Sequence, residues 1–565
     1  MSTIPVNTSV IPFSSSLHHV TLRPWAIGLL IVSALLSVPI LVVFASVFVP
    51  SGEIWRHLTA TVLPDYILNS LLLMCGVGFL VLSLGIIPAW LVTMYRFPGS
   101  RILEWALLLP LAIPAYIIAY TYTGLLDVAG PLQSWIRDYF QWRYGDYWFP
   151  EVRSLGGAIV MLALVFYPYV YLLCRAAFIE QSICALEVAR TLRCGPLKAF
   201  FKVAIPLARP AIMVGVSIVL METLADYGTV QYFGVSAFTT GIFRTWFGLG
   251  NSAAAAQLSA LLMVFILVLV SIENWSRRQA RYHHTSSRYR ALLMKKLRGR
   301  TKILATTACV LPVIFGFLIP AAQLSIWATQ TYSEQVDHEF FALIGHTVGL
   351  AAGTAFIALL LALFIAYGKR LQANLLTGLA VRVLSMGYAI PGTVIAVGAL
   401  LPFAWVDNTL SAWMQAHFAI NTGLIMSGTV FALIFAYLVR FLPLALNTVD
   451  AGLNRIKPSM DEVGRCLGLR SGTILRKVHI PMLHGTLLTA VLLVFVDVLK
   501  ELPATLILRP FNFNTLAIRT YELANEERLA DAACPALAIV LAGIIPVIIL
   551  SRSISQARPG HDKHP

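Results

Sequence analysis

Charge is scarce in this sequence, and acidic charge scarcest. Only 26 of 565 residues are Asp or Glu, charged residues make up 12% of the chain, and 58% are hydrophobic. Together with a mean hydropathy of +0.79, this excludes an ordinary soluble globular protein. Seven cysteines show neither a pairing pattern nor metal-ligand spacing. A disulfide framework or a zinc site is thereby removed, and they read as inert buried or reduced thiols. No GxxxxGKS/T run occurs, so the chain carries no phosphate-cradling loop for ATP. No nucleophile stands with a base, and no covalent chemistry is expected.

What the chain has instead is long apolar runs. About 20 residues cross a bilayer as a helix, and roughly twelve runs of that length stand near 25–49, 66–94, 102–126, 155–178, 205–227, 252–272, 303–327, 341–367, 375–404, 421–446, 480–507 and 533–551. An all-α integral membrane protein follows. The run after Arg23 lacks a small-residue cleavage site and reads as an uncleaved first span. A net charge of +15 would point to nucleic acid in a soluble chain, but here Lys and Arg gather in alternate loops, densest between Glu273 and Lys302. Positive loops stay inside, so both termini and the even-numbered connections are expected in the cytoplasm, and no nucleic-acid partner is expected.

The chain is a duplication. An offset of 275 places Glu187 on Glu462, Arg190 on Arg465, Lys202 on Lys477 and Pro206 on Pro481. Phe238, Thr240 and Arg244 fall on Phe513, Thr515 and Arg519 at the same offset, and Ala112-Ile113-Pro114 falls on Ala389-Ile390-Pro391 at 277. The expected organisation is a cytoplasmic tail (1–24), a first six-helix half (25–272), a basic cytoplasmic linker (273–302), a second half (303–552) and a cytoplasmic tail (553–565). Parallel halves imply a pseudo-two-fold axis along the membrane normal with a pathway between them.

The repeated segment after the fourth span of each half is polar and broken. The copies read EVARTLRCGPLKAFFKVAIP and EVGRCLGLRSGTILRKVHIP. Gly and Pro interrupt the helical pattern, giving a pair of short cytoplasmic helices built to dock. An interfacial helix held by headgroups is the alternative for one copy; two copies with the same Glu, Arg, Lys and Pro spacing argue against it. The segment resembles the signature loop of ABC importer permeases, with its Glu-Ala-Ala start, a Gly six residues on and an Ile/Leu-Pro end. That family's type I fold is two six-helix halves whose loops seat in clefts of ATP-hydrolysing subunits. The resemblance makes Glu187, Arg190, Gly195, Glu462, Arg465 and Gly468 the coupling residues. The second copy has Gly468 in the expected place; the first has Arg193 there and Gly195 two positions later. Two copies of a separate ATPase are implied at the cytoplasmic face, with ATP and Mg bound there and no cofactor on this chain.

Ionisable residues inside spans are costly and ask for a partner or a function. Span five carries Glu222 and Asp226; span eleven carries Asp497 and Glu501 at the same repeat positions. The i,i+4 spacing puts each pair on one helical face, and by symmetry the four are expected to converge near the outer half of the interface. Four oxygen-donor acids suit a hard cation. The alternative is structural pairing, such as Asp497 with Lys500, or capping where the spans emerge. The neighbourhoods 220–247 and 500–527 look like those of fused permeases for ferric iron, the inner-membrane part of bacterial importers fed by a periplasmic binding protein; related fused permeases carry thiamine or phosphonates. Because affinity then resides in the binding protein, no tight metal site is expected, and His18-His19 and His283-His284 read as solvated. The aromatic segment 127–153 either floats at headgroup level or seats the binding protein, and with no counterpart after span nine the outer face should be asymmetric. A proton-coupled secondary transporter would explain the acids but leaves the duplicated loop without a role.

Overall fold

A computed structural model describes residues 24–50, 52–180, 195–278 and 295–556, and these are predominantly helical. Among them, ten helices are long and apolar enough to cross a membrane, or eleven if Ser100–Ala112 and Ala115–Phe140, bent by 91°, count as one span. The last apolar run forms Ala533–Gln556. Helices dominate because a backbone in hydrocarbon must satisfy its own hydrogen bonds.

The duplication is visible in backbone detail. In each half a short 3-10 turn, Leu109–Ala112 or Met386–Ala389, ends in an extended residue before a proline: Ile113 has φ −101° and ψ 120°, Ile390 φ −88° and ψ 127°. Proline disfavours the helical conformation in the residue before it, so Pro114 and Pro391 each open a new helix. The ninth span consequently starts at Gly392 and runs to Phe418, later than the apolar run 375–404 indicates. Gly392–Phe418 is one unbroken helix, whereas in the first half the helix after Pro114 ends at Leu126 and a separate short helix, Pro131–Phe140, follows within 127–153.

A second shared device precedes the fifth span. Phe200–Ala204 and Leu475–His479 are π turns lying 275 residues apart, each followed by Ile-Pro. Pro206 and Pro481 have no N–H to give the carbonyl four residues back and crowd it. The ladder there widens, with Ile205 N–H bonding Phe200 O and Ile480 N–H bonding Leu475 O. Ile314–Leu318 repeats the arrangement ahead of Pro320.

The two hydrophobic cores exchange helices. One joins Leu63–Met94 and Leu155–Glu180 to Cys309, Val313, Phe317 and Leu324 of the second half and to Ala536, Ile539 and Val540 of its last helix. The other joins His338–Leu371, Val430–Asn454 and Ile480–Leu499 to Leu29, Leu36 and Val43 of the first helix and to Ala254–Ile266 of the sixth span. Tyr122 donates to Phe315 O across the exchange at 2.6 Å. A parallel strand pair, Tyr95–Arg96 with Lys295–Lys296, ties the end of the basic linker to the loop after the second span.

Candidate functional site: a cytoplasmic-type loop and a charged cavity

Glu187 and Arg190 lie outside the described residues, which resume at the exposed Gly195. The second copy is complete. Ser459–Cys466 forms one short helix that closes on Gly468 at φ +75°. Leu469 N–H bonds Gly464 O at 3.0 Å and Gly468 N–H bonds Arg465 O at 2.9 Å, a paired closure that needs a left-handed residue and hence glycine. Glu462, Val463, Arg465 and Leu467 are exposed on this helix. Asp461 points the other way and is buried. It accepts from Arg370 Nη2 at 2.6 Å and pairs with His479 Nε2 at 2.8 Å, while Arg370 also donates to Ile456 O. Burial alone would raise the Asp461 carboxyl; the bonds from Arg370 and His479 overcome it and hold the group below its ordinary value. The first half has Leu186 and Ala204 at the repeat positions of Asp461 and His479, so this brace belongs to one half only.

At the far end of the Ile480–Leu499 helix, about 30 Å away at 1.5 Å per residue, lie the intramembrane acids. The structure brings Glu222, Asp226, Asp497 and Glu501 to the wall of one cavity of about 90 Å³. In each half the fifth span stops at the second acid of the pair and a short helix follows, Gly228–Tyr232 or Pro503–Leu508. Asp226 accepts from the N–H groups of Thr229 at 3.0 Å and Val230 at 3.2 Å. Glu501 accepts from Ala504 N–H at 3.2 Å. These are carboxylates at helix starts, where free N–H groups favour negative charge. Asp497 pairs with Lys500 at 2.8 Å, as the pairing alternative anticipates. Capping and lining thus coexist in the same residues.

Sequence reasoning missed Arg440. It is buried in Val430–Asn454 with Nη1 3.3 Å from Glu501 Oε1 and Nη2 3.7 Å from Glu222 Oε2, bridging the two halves. A lone Arg inside the apolar run LVRFLPL was the signal available. Its repeat counterpart, aligned by Pro168 and Pro443, is Val165, which lines the same cavity. Lys500 likewise corresponds to Ala225. Both cations come from the second half. Room for the bridge depends on Gly392, where a Cβ would stand 2.3 Å from Glu501 Oε1 and 2.6 Å from Arg440 Nη1. Among the described residues no three His, Cys, Asp or Glu side chains come together as a metal-holding group. The lining carries four carboxyl groups against two cations.

Comparison with known proteins adds the family. Residues 81–282 and 358–558 each match the Binding-protein-dependent transport system inner membrane component. The chain is 27% identical over 94% of its length, and 98% of the relative's, to the Fe(3+)-transport system permease protein FbpB 2 of Haemophilus influenzae. It is 23% identical over 85% of its length, and 72% of the relative's, to the ferric transport system permease protein FbpB of Actinobacillus pleuropneumoniae. The molybdenum transport system permease protein ModB of Escherichia coli matches 35% of the chain at 26% identity, over 87% of its own length. Matched once in each half and over most of its length, the chain belongs to the binding-protein-dependent transport system inner membrane components.

Proposed function

We propose that this multi-pass inner-membrane permease carries ferric iron into the cytoplasm. The observation supporting that cargo is the similarity to Fe(3+)-transport permeases along essentially the whole chain. In this reading a periplasmic binding protein delivers the ion to the outer face, and two ATPase subunits bind the loops carrying Glu187, Arg190 and Gly195, and Glu462, Arg465 and Gly468. Both termini are cytoplasmic. ATP and Mg reside on those subunits.

The chain's own residues do three things in the cycle. Glu462 and Arg465 offer charge, and Val463 and Leu467 apolar surface, to an ATPase cleft; the Gly468 closure and the Asp461–Arg370 brace fix their direction. Closure of the ATPase pair draws the two loops together and rocks the halves about their exchanged helices. At the other end of the fifth spans, Arg440 spans the seam from Glu501 to Glu222, so separating the halves there costs a buried ion pair and frees carboxylates for a cation. Loaded binding protein must favour that outward-opened state, because a ligand shifts an equilibrium only by its differential affinity.

An anionic cargo would draw on Arg440 and Lys500. The lining opposes it: four carboxyl groups stand against two cations, and both cations are already paired with carboxylates. Thiamine permeation is tested by the same assay. Uptake of radiolabelled ferric iron is measured in cells with and without the chain, with thiamine as control. Iron uptake that requires the chain and is abolished in the Glu187→Ala/Glu462→Ala double variant, with the protein still inserted, supports cargo and engine together. Normal uptake in the double variant removes the docking role. Iron uptake independent of the chain removes the cargo. Proton-coupled uptake by the purified chain alone would support a secondary transporter instead.

A further inference from the structure

The carboxylates of the cavity already have partners, whereas two hydroxyls beside them have none. Tyr116 and Tyr120 stand at i,i+4 on the Ala115–Leu126 helix, so both project from one face. Both are buried, at 4% and 3% exposure, and neither hydroxyl has a hydrogen-bond partner among the described residues. Phenylalanine would fill the same space without leaving a polar atom unsatisfied. Thr393, the repeat counterpart of Tyr116, carries another buried hydroxyl with no partner. The position therefore presents an unpaired oxygen from each half.

These phenols also connect places. Tyr116 lines the acidic cavity. Its ring centroid lies 5.8 Å from that of Tyr120, and Tyr120 lies 4.5 Å from Tyr232. Arg153 sits over the Tyr232 ring at 4.9 Å and is itself clamped by Glu527 of the other half through two bonds of 2.9 Å. The Arg153 and Glu527 side chains are 35% and 60% exposed. A file of tyrosines thus runs from an exposed inter-half ion pair inward to the carboxylates. Gly228 lets the short helix after Asp226 press on this file, since a Cβ there would stand 2.7 Å from Tyr116 Cβ.

Resting on the ferric reading above, we propose that Tyr116 and Tyr120 are transit ligands for the trivalent ion, handing it from the outer mouth to the carboxylates of the cavity. Phenolate oxygen is a hard donor suited to a hard, highly charged cation. Coordination exchanges the phenol proton for the metal: the O–H bond breaks, an oxygen–iron bond forms, the proton passes to a cavity carboxylate, and iron stays ferric.

The test uses the assembled transporter with its ATPase, reconstituted in lipid discs and titrated with ferric nitrilotriacetate. Phenolate bound to ferric iron absorbs visible light, so the parent should develop a charge-transfer band that shrinks in Tyr116→Phe and in Tyr120→Phe and disappears in the double variant. Chain-dependent uptake of ferric iron should fall at least tenfold in the double variant, with expression and thermal midpoint unchanged. If the double variant fails to insert, the two single variants carry the same comparison. Absence of the band in the parent overturns the proposal, as does wild-type iron uptake in the double variant, and either leaves the ferric reading in place. Iron uptake that does not need the chain removes the ferric reading and this proposal with it.

Discussion

Arg440 is the residue on which the cavity turns. Its guanidinium is buried between Glu501 of its own half and Glu222 of the other. Removing one partner of a buried pair costs about 3–5 kcal/mol because it strands the remaining charge. Arg440→Met should therefore lower the thermal midpoint of the detergent-solubilised protein clearly, and Arg440→Met/Glu501→Gln should recover a large part of the loss. No recovery in the double variant would mean that Arg440 acts by packing alone. Gly392→Ala makes the same point from the other side, by forcing a methyl into the bridge, and should mimic the loss without removing any charge. The acids were legible in the sequence because an isolated carboxyl in an apolar run stands out. Their partner was not, since pairing Arg440 with Glu222 joins residues 218 positions apart in two halves, and no periodicity reports that. Tyr116 and Tyr120 were invisible for a related reason: a tyrosine in a span reads as an ordinary aromatic until its hydroxyl is found without a partner.

At the scale of the element, the loop Ser459–His479 shows how little rigidity comes from its own length. A helix of eight residues is unstable in isolation; it is held by the Gly468 closure and by Asp461 in the grip of Arg370 and His479. Gly468→Ala must place a Cβ at φ +75°, a cost of about 1 kcal/mol, and should weaken ATPase association measured by pull-down while leaving insertion intact. The brace carries a pH dependence with a definite sign. The Asp461 carboxyl is held below its ordinary value, so its contribution is present above the unfolded-state value of about 3.9 and is lost as pH falls through the lowered folded value. Hydrogen exchange of residues 459–470 should stay protected from neutral pH down to about pH 4 and loosen below it, whereas Asp461→Asn should be loose throughout. The duplicated Ile-Pro ends and the helix-breaking glycines of this loop were plain in the sequence, since backbone chemistry is written in residue type. The brace was not, because Arg370 enters from a different helix.

For the molecule as a whole, the repeat announced two halves but gave no hint that they trade helices. Sequence order says which spans are equivalent and nothing about which core each one fills. Leu29, Leu36 and Val43 are buried against the second half, and Cys309, Val313 and Phe317 against the first. Neither half has a complete core alone. Expressed separately, residues 1–290 and 295–565 should each be degraded or aggregate, while co-expression should restore a folded complex detectable by size-exclusion chromatography. A stable, monodisperse single half would contradict the exchange.

The interleaving has a mechanical meaning for the surrounding lipid. Two blocks meeting at a flat seam can part like a book, opening a side slit to the bilayer as they rock. Halves that each grip the other's outermost helices have no such spine to split along, and rotation between them shears the exchanged helices past their neighbours instead. In the proposed alternating-access cycle, a ferric ion moving through the middle would therefore stay fenced from hydrocarbon while the two ends take turns to open.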